Sequence, residues 1–472
     1  MTESEANFPY LPHTDAERKE MLKTIGVASF EELVKHIPEK LRAKALNLRS
    51  GMSEQELAKE VQAISNRNMP ASRQASFLGG GSYRRYVPAI VGNILSRGEF
   101  STAYTPYQPE VSQGTLQAIY EFQTAICLLT GMEVANASMY DGPTALAEAC
   151  LMSSRLTTKE KIVVAASVNP EYKEVTRTYC QSCGLDFQEA ALSGGTIDLT
   201  NLAVDEKTSC VVVQYPNYFG CLEDLDAVAK KVHAAGAHLV VVSEPISLGM
   251  LTAPGDFGAD IVVGDAQPCG NSLSFGGPSA GYMATKKEFI RQLPGRLCGV
   301  TVDNRGQRAF TLTLQTREQH IRRAKATSNI CTNQALNALA MLVYIVSVGP
   351  VGLKELANIS LQRAHSLKER LTAVAGITAP FTQPFFSEFV IQTAQPAHQV
   401  LDELKSHGIL GGIDLSVTYP QLKNHLLVSV TEMNGPDDLD LYVSAMESIV
   451  KGDLKTGHKE TVGSAAAKTG GR

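Results

Sequence analysis

Two hydrophobic periods run along the chain, and the change between them marks its organisation. From residue 1 to about 75, apolar positions recur at helical spacing on a polar background. Thr14 and Asp15 stand where a cap for "AERKEMLKTIG" belongs, and Gly26 stops that run. Ser29 precedes "FEELVKHI", with Glu32 at capping-box distance, and "SEQELAKEVQAISNRN" supplies a further amphipathic stretch. These segments carry too little apolar surface for an independent core, so they predict a helical N-terminal arm.

From about 76 to 350 the pattern becomes strand and helix in alternation. The runs "KIVVAAS" (161–167), "SCVVVQY" (209–215), "AHLVVVSE" (237–244) and "ADIVVG" (259–264) are β-branched and lack polar alternation. Parallel strands covered on both faces have that signature. Glycine-terminated helical stretches such as "CLEDLDAVAKKVHAAG" (221–236) lie between them. The pattern predicts an α/β domain whose ligand sites gather at the carboxyl ends of the strands. A smaller α/β unit is expected over 351–452, opening with a long helix. The polar, small-residue tail 453–472 reads as disordered.

Composition changes this picture little. The charges nearly balance, 43 Lys+Arg against 48 Asp+Glu for a net of −5, and no basic stripe invites nucleic acid. Nine scattered cysteines and a polar N-terminus fit a soluble protein of a reducing cytoplasm. Cys180 and Cys183 form the only C-x-x-C pair, without a second pair or a suitably spaced histidine, so no metal site is expected. The apolar stretch 335–353 approaches the length of a membrane span but is broken by Asn337 and Gly349-Pro350; it reads as a buried core helix.

A large α/β domain, a linking helix and a small α/β domain suggest the fold-type-I pyridoxal-phosphate enzymes. Such chemistry needs an imine-forming lysine, a carboxylate for the ring nitrogen, and a cup for the phosphate. The turn around Asp141, Gly142 and Thr144, before a helix with Pro143 at its first position, is a candidate cup. The glycine-rich "FLGGGSYRRY" (77–86) is another. Glu244 at a strand end is the candidate carboxylate, and Asn217 in "YPNYFG" a candidate ligand. The strand end "GDAQPCGNSLSFGGP" (264–278) offers no lysine. Lys286 and Lys287 come only after the following strand and read as solvent-facing.

Longer matches carry a resemblance. "SFLGGGSYRRYVPAIV" (76–91), "YTPYQPEVSQGTLQAIYEFQT" (104–124), "FGGPSAGYMATKKEFIRQLPGR" (275–296) and "LTLQTREQHIRRAKATSNICTNQ" (312–334) make the chain similar to the glycine cleavage system P-protein family. The likeness is to the first-subunit branch of its two-subunit form. In that family, the resemblance implies, subunit 2 carries the Schiff-base lysine and the pyridoxal phosphate. The pair would decarboxylate glycine and pass the aminomethyl group to the lipoyl arm of H-protein. Counted back from Gly276-Gly277-Pro278, the lysine position falls on Gln267 here, and Glu244 stands where the family more usually has aspartate.

This chain would then carry no catalytic residue of its own and would complete the partner's site across an interface. Tyr104, Thr105 and Tyr107 are candidates to reach that site, with Ser328, Asn329 and Thr332; Arg322, Arg323 and Lys325 are candidates for holding a phosphate or steering an acidic partner. A free-standing pyridoxal-phosphate decarboxylase or transferase using Lys286 or Lys287, and a non-catalytic scaffold, are the alternatives.

Overall fold

The computed structural model describes residues 13–42, 49, 51–68 and 70–452. The expected disordered tail, 453–472, lies outside the described residues. The chain divides into two compact units, Met1–Met69 and Pro70–Arg472.

The first unit is helical, as its period requires. Helix α1 (Asp15–Ile25) is held at its start by a capping box between Thr14 and Glu17 and ended by Gly26 in the left-handed region. Helix α2 (Glu54–Ser65) has the same device in Ser53 and Glu56. The expected helix after Ser29 shrinks to Phe30–Leu33, and Ser29 makes no capping bond. Phe30 is exposed, so no apolar face is buried to repay the cost of nucleating a longer helix.

The second unit is built on a seven-stranded sheet. Its strands are β1 (Val134–Ala135), β2 (Lys161–Ala165), β3 (Asp186–Ala190), β4 (Thr208–Tyr215), β5 (His238–Ser243), β6 (Ile261–Asp265) and β7 (Gly281–Thr285), in the spatial order β1-β7-β6-β5-β4-β2-β3. The five strands from β2 to β6 are parallel, whereas β7 runs antiparallel to both β6 and β1. The valines of β4, β5 and β6 meet in register, Val213 beside Val241 and Val242 beside Val263, and all are buried. That layer explains the unbroken apolar runs in the sequence.

Helices α3 (Ala89–Leu95), α4 (Gln113–Thr130), α5 (Gly142–Thr157), α6 (Pro170–Ser182) and α7 (Leu225–Ala234) accompany this sheet. Helix α8 (Ala335–Thr372) follows, interrupted at Gly349, whose φ of 63° and ψ of −179° are not helical. The division expected at 350 therefore falls at the break between two halves of one element. Although α8 has the length and hydropathy of a membrane span, Ala338–Leu342 and Tyr344 are buried in the core shared with the sheet.

Beyond α8, strands β8 (Glu388–Gln392), β9 (Ile413–Asp414) and β10 (His425–Ser429) form an antiparallel sheet backed by α9 (Ala397–Ser406) and α10 (Pro436–Lys451). Ala75 and Ser76 pair in parallel with Ile409 and Leu410, so the start of the second unit is tied to this later layer. The glycine-rich stretch that follows is therefore led between the two sheets. At Gly79 any Cβ would lie 2.3 Å from Glu388 Oε1, and only glycine permits that approach.

Candidate functional site

The carboxyl ends of β4, β5 and β6 converge where a doubly wound sheet places its ligand. Strand β6 ends at Asp265, and two residues later stands Gln267. The Gln267 amide is nine-tenths buried and fully committed. Its Oε1 accepts the Tyr83 N–H at 2.8 Å, while its Nε2 donates to Tyr83 O at 2.9 Å and to Asn271 O at 3.0 Å. The side chain thus imitates a strand neighbour for the glycine-rich segment. An ammonium cannot accept the Tyr83 N–H, so this pairing requires an amide.

The expected anion cup is occupied by acids. Asp141 caps α5, with its Oδ1 accepting Thr144 N–H at 2.8 Å. The Gly142 N–H goes to Asp265 Oδ2 at 2.9 Å, and Pro143 has none to give. Asp265 also accepts the Gln267 N–H at 2.8 Å and the Ser279 hydroxyl; burial nevertheless pushes its pKa up. Tyr172 fills the remaining space, since a Cβ on Gly142 would lie 1.8 Å from its hydroxyl. The first-turn donors that suggested a phosphate cup are therefore spent within the chain.

What space remains beside Glu244, Tyr83, Asn169 and Tyr172 amounts to about 30 Å³, roughly the volume of one water. A wider groove of about 370 Å³ opens in front of it, lined by Asp141, Glu171 and Asp265 but by no lysine or arginine. An imine-forming amine and a counter-charge for phosphate are both missing from these walls. Pyridoxal phosphate does not fit this set of residues.

The remaining residues expected to serve a cofactor are engaged in structural bonds. Glu244 lies 3.8 Å from Arg85 and accepts the Ser247 N–H at 2.6 Å. Burial raises its pKa, an effect that Arg85 only partly offsets. Arg85 bonds Glu432 at 2.7 Å and Ser360 at 3.0 Å, so it bridges the two layers instead of presenting a free cation in the glycine-rich loop. Burial disfavours its charge, but Glu244 and Glu432 outweigh burial and hold its pKa high. Arg84 donates to Gln74 O at 3.2 Å. Asn217 is saturated too: its Nδ2 donates to Gly195 O and Glu223, and its Oδ1 accepts Phe219 and Cys221 N–H. It holds a turn and has no capacity left for a ligand.

Lys286 and Lys287 lie at the wrong end of the sheet. Because β7 is antiparallel, Gly281 sits beside Asp265 and Thr285 beside Ile261, four residues or roughly 13 Å away. The sequence led us to expect both to face solvent; Lys287 does, whereas Lys286 is only partly exposed and forms an ion pair with buried Asp260.

The residues proposed to reach a partner are partly assembled. Tyr104, Thr105 and Thr332 line one mainly apolar cavity of about 160 Å³, together with Phe100, Arg296 and Asn333. Tyr104 is 84% exposed. Arg296, which sequence reasoning overlooked, is 5% exposed and bonds Asn333 Oδ1 at 3.1 Å and Cys331 O at 2.8 Å. Its guanidinium lies 5.7 Å from the Tyr107 ring centroid, and Tyr107 also packs edge-on against His320. Only the pattern "LPGR" before a strand marked Arg296 in the sequence.

Ser328 accepts the Ile330 N–H at 3.0 Å and bonds buried Glu148, whose pKa burial raises and Ser328 moderates. Asn329 is exposed beside it. Arg322 and Lys325 line a different cavity, and Arg323 is exposed in the same stretch.

Comparison with known proteins agrees with this architecture. Residues 9–446 match the family profile described as "Glycine cleavage system P-protein". The chain is 52% identical over 440 residues to a probable glycine dehydrogenase (decarboxylating) subunit 1 of Geobacillus thermodenitrificans, covering 93% of this chain and 98% of that protein. It superposes on a crystal structure of glycine decarboxylase (P-protein) of the glycine cleavage system, in inhibitor-bound form, with a TM-score of 0.86. Identity there is 44%, over 93% of this chain and 99% of that one. A Burkholderia pseudomallei sphingosine-1-phosphate lyase, 14% identical, shares the fold with a TM-score of 0.63 over 87% of this chain and 94% of its own.

Proposed function

The chain belongs to the glycine cleavage system P-protein family, and from that premise we propose that it is the subunit of glycine decarboxylase that does not hold the cofactor. Its partner is the homologous subunit 2, which carries the Schiff-base lysine and the pyridoxal phosphate. When bound there, the cofactor supplies the electron withdrawal that lets glycine lose carbon dioxide. The aminomethyl group then passes to the lipoyl arm of H-protein. The nine free thiols support a reducing, cytoplasmic setting.

One observation carries the reading: Gln267 stands at the strand end where an imine would form, locked to the Tyr83 backbone in a pocket walled by carboxylates. This chain's own contribution is to position residues at the interface. Thr105 and Thr332 line the cavity that Arg296 borders, and Tyr104, which lines it too, is exposed. Against the partner, these groups orient the substrate and exclude water from the reacting carbon.

Reconstitution tests the proposal. Each subunit is purified separately, and glycine–bicarbonate exchange is measured for each alone and for the mixture with H-protein. Activity restricted to the mixture is expected. Exchange by this chain alone, or no gain over subunit 2 alone, would refute it.

A further inference from the structure

A second cavity, of about 270 Å³, is lined by Arg291, Leu314, Thr316, Arg317, Arg322, Lys325 and Thr327. It shares no residue with the cavity at Tyr104 and Thr332. Four of its seven lining residues are cationic, two carry hydroxyls, and none is acidic.

Such a concentration of like charge has to be held in place. Arg317 is anchored by the chain itself, donating to Leu314 O and Gly295 O at 3.0 Å each and to Leu293 O. Among the described residues, the Arg322 side chain donates only its Nε, to Thr316 O at 3.1 Å, so its terminal amino groups keep their donors. Among the described residues, the side chains of Arg291 and Lys325 have neither an ion pair nor a hydrogen bond. The nearest acid in sequence, Glu318, is buried and faces His320 at 3.5 Å without lining the cavity.

From this arrangement we infer that the cavity is a binding site for a small tetrahedral oxyanion, a phosphate group, held by Arg291, Arg322 and Lys325 over the fixed charge of Arg317. The guanidinium forks match phosphate oxygens, the threonine hydroxyls add neutral donors, and nothing in the wall repels a dianion. A concave pocket selects a compact anion over a flat acidic surface. Its volume, several times that of a water, leaves room for an inorganic ion or for the phosphate end of a monoester.

Calorimetric titration of the full chain at fixed ionic strength tests the site, with inorganic phosphate in one arm, glycerol 3-phosphate in another and chloride as the control. The comparison protein is the double variant Arg291→Ala, Lys325→Ala, whose lost side chains make no bonds that the fold needs. A second variant, Arg322→Gln, guards against misfolding of the first. Saturable binding of either phosphate, weakened at least tenfold in both variants, is the expected result; the two arms tell the free ion from the monoester. Binding no stronger than that of chloride, or binding that survives both variants, would overturn the inference.

Discussion

Gln267 and Tyr83, 184 positions apart in the chain, hold each other by two hydrogen bonds of 2.8 and 2.9 Å. The pair closes the strand end on which a cofactor would be expected and fixes the glycine-rich segment above it. Substitution to Gln267→Lys therefore restores the amine but removes the lock. The Tyr83 N–H loses its acceptor, at a cost of about 1–3 kcal/mol for a buried donor left unpaired. A lower melting temperature, with no retained visible absorbance after incubation with pyridoxal phosphate and dialysis, is the expected outcome. A stable, coloured variant would show that lysine alone suffices.

Arg85 joins Glu244 to Glu432 across the two layers. Arg85→Met leaves two mostly buried carboxylates without their counter-charge, and breaking such a network costs on the order of 3–5 kcal/mol. Denaturant unfolding at neutral pH measures the loss. A change below about 1 kcal/mol would mean that the network contributes little.

Glu388 supplies a pH dependence. It accepts Gly80 N–H at 2.7 Å and the Tyr83 hydroxyl at 2.8 Å, yet burial pushes its pKa up from 4.5 to about 7. Between those values the folded chain keeps a proton that the unfolded chain releases. This group's stabilisation is therefore complete below pH 4.5 and is lost as pH rises through 7. The difference is on the order of 3 kcal/mol. Burial also raises Glu244 and Asp265, which act in the same direction, whereas bonds to Lys286 and others keep Asp260 low despite its burial. Glu388→Gln mimics the protonated state, so its stability should fall less than wild type between pH 5 and 8. Parallel curves for the two proteins would exclude the assignment.

Tyr104 and Asn329 are exposed, so replacing either with alanine should leave the melting temperature of this chain unchanged. If they face the partner's site, glycine–bicarbonate exchange by the mixed subunits should fall about tenfold or more, equivalent to roughly 1.4 kcal/mol of transition-state stabilisation. Full activity in both variants would remove the two loops from the site.

The parallel sheet was legible because β-branched runs without polar alternation have few other uses, and all four such runs became its inner strands. The cap at Thr14 was also legible, being local, whereas the capping box expected at Ser29 does not form and the one at Ser53 was not foreseen. Long-range commitments were not legible. The turn at Asp141 has the chemistry of an anion cup until Asp265, 123 positions later, takes the Gly142 N–H. Arg85 looked like a loop cation because its bonding partner Glu432 lies 347 positions away. Asn217 was a different case: Phe219, Cys221 and Glu223 lie within six residues of it, and the turn in which they fill its amide was not read from the sequence. Gln267 was visible as an anomaly, but the Tyr83 backbone it serves was not.

Cofactor stoichiometry decides which subunit holds the pyridoxal phosphate. This chain alone, subunit 2 alone and their purified complex would each be equilibrated with pyridoxal phosphate and dialysed, and the bound cofactor released and quantified. None is expected on this chain, and one per pair of subunits in the complex. Cofactor retained by the isolated chain, or two per pair, would contradict it.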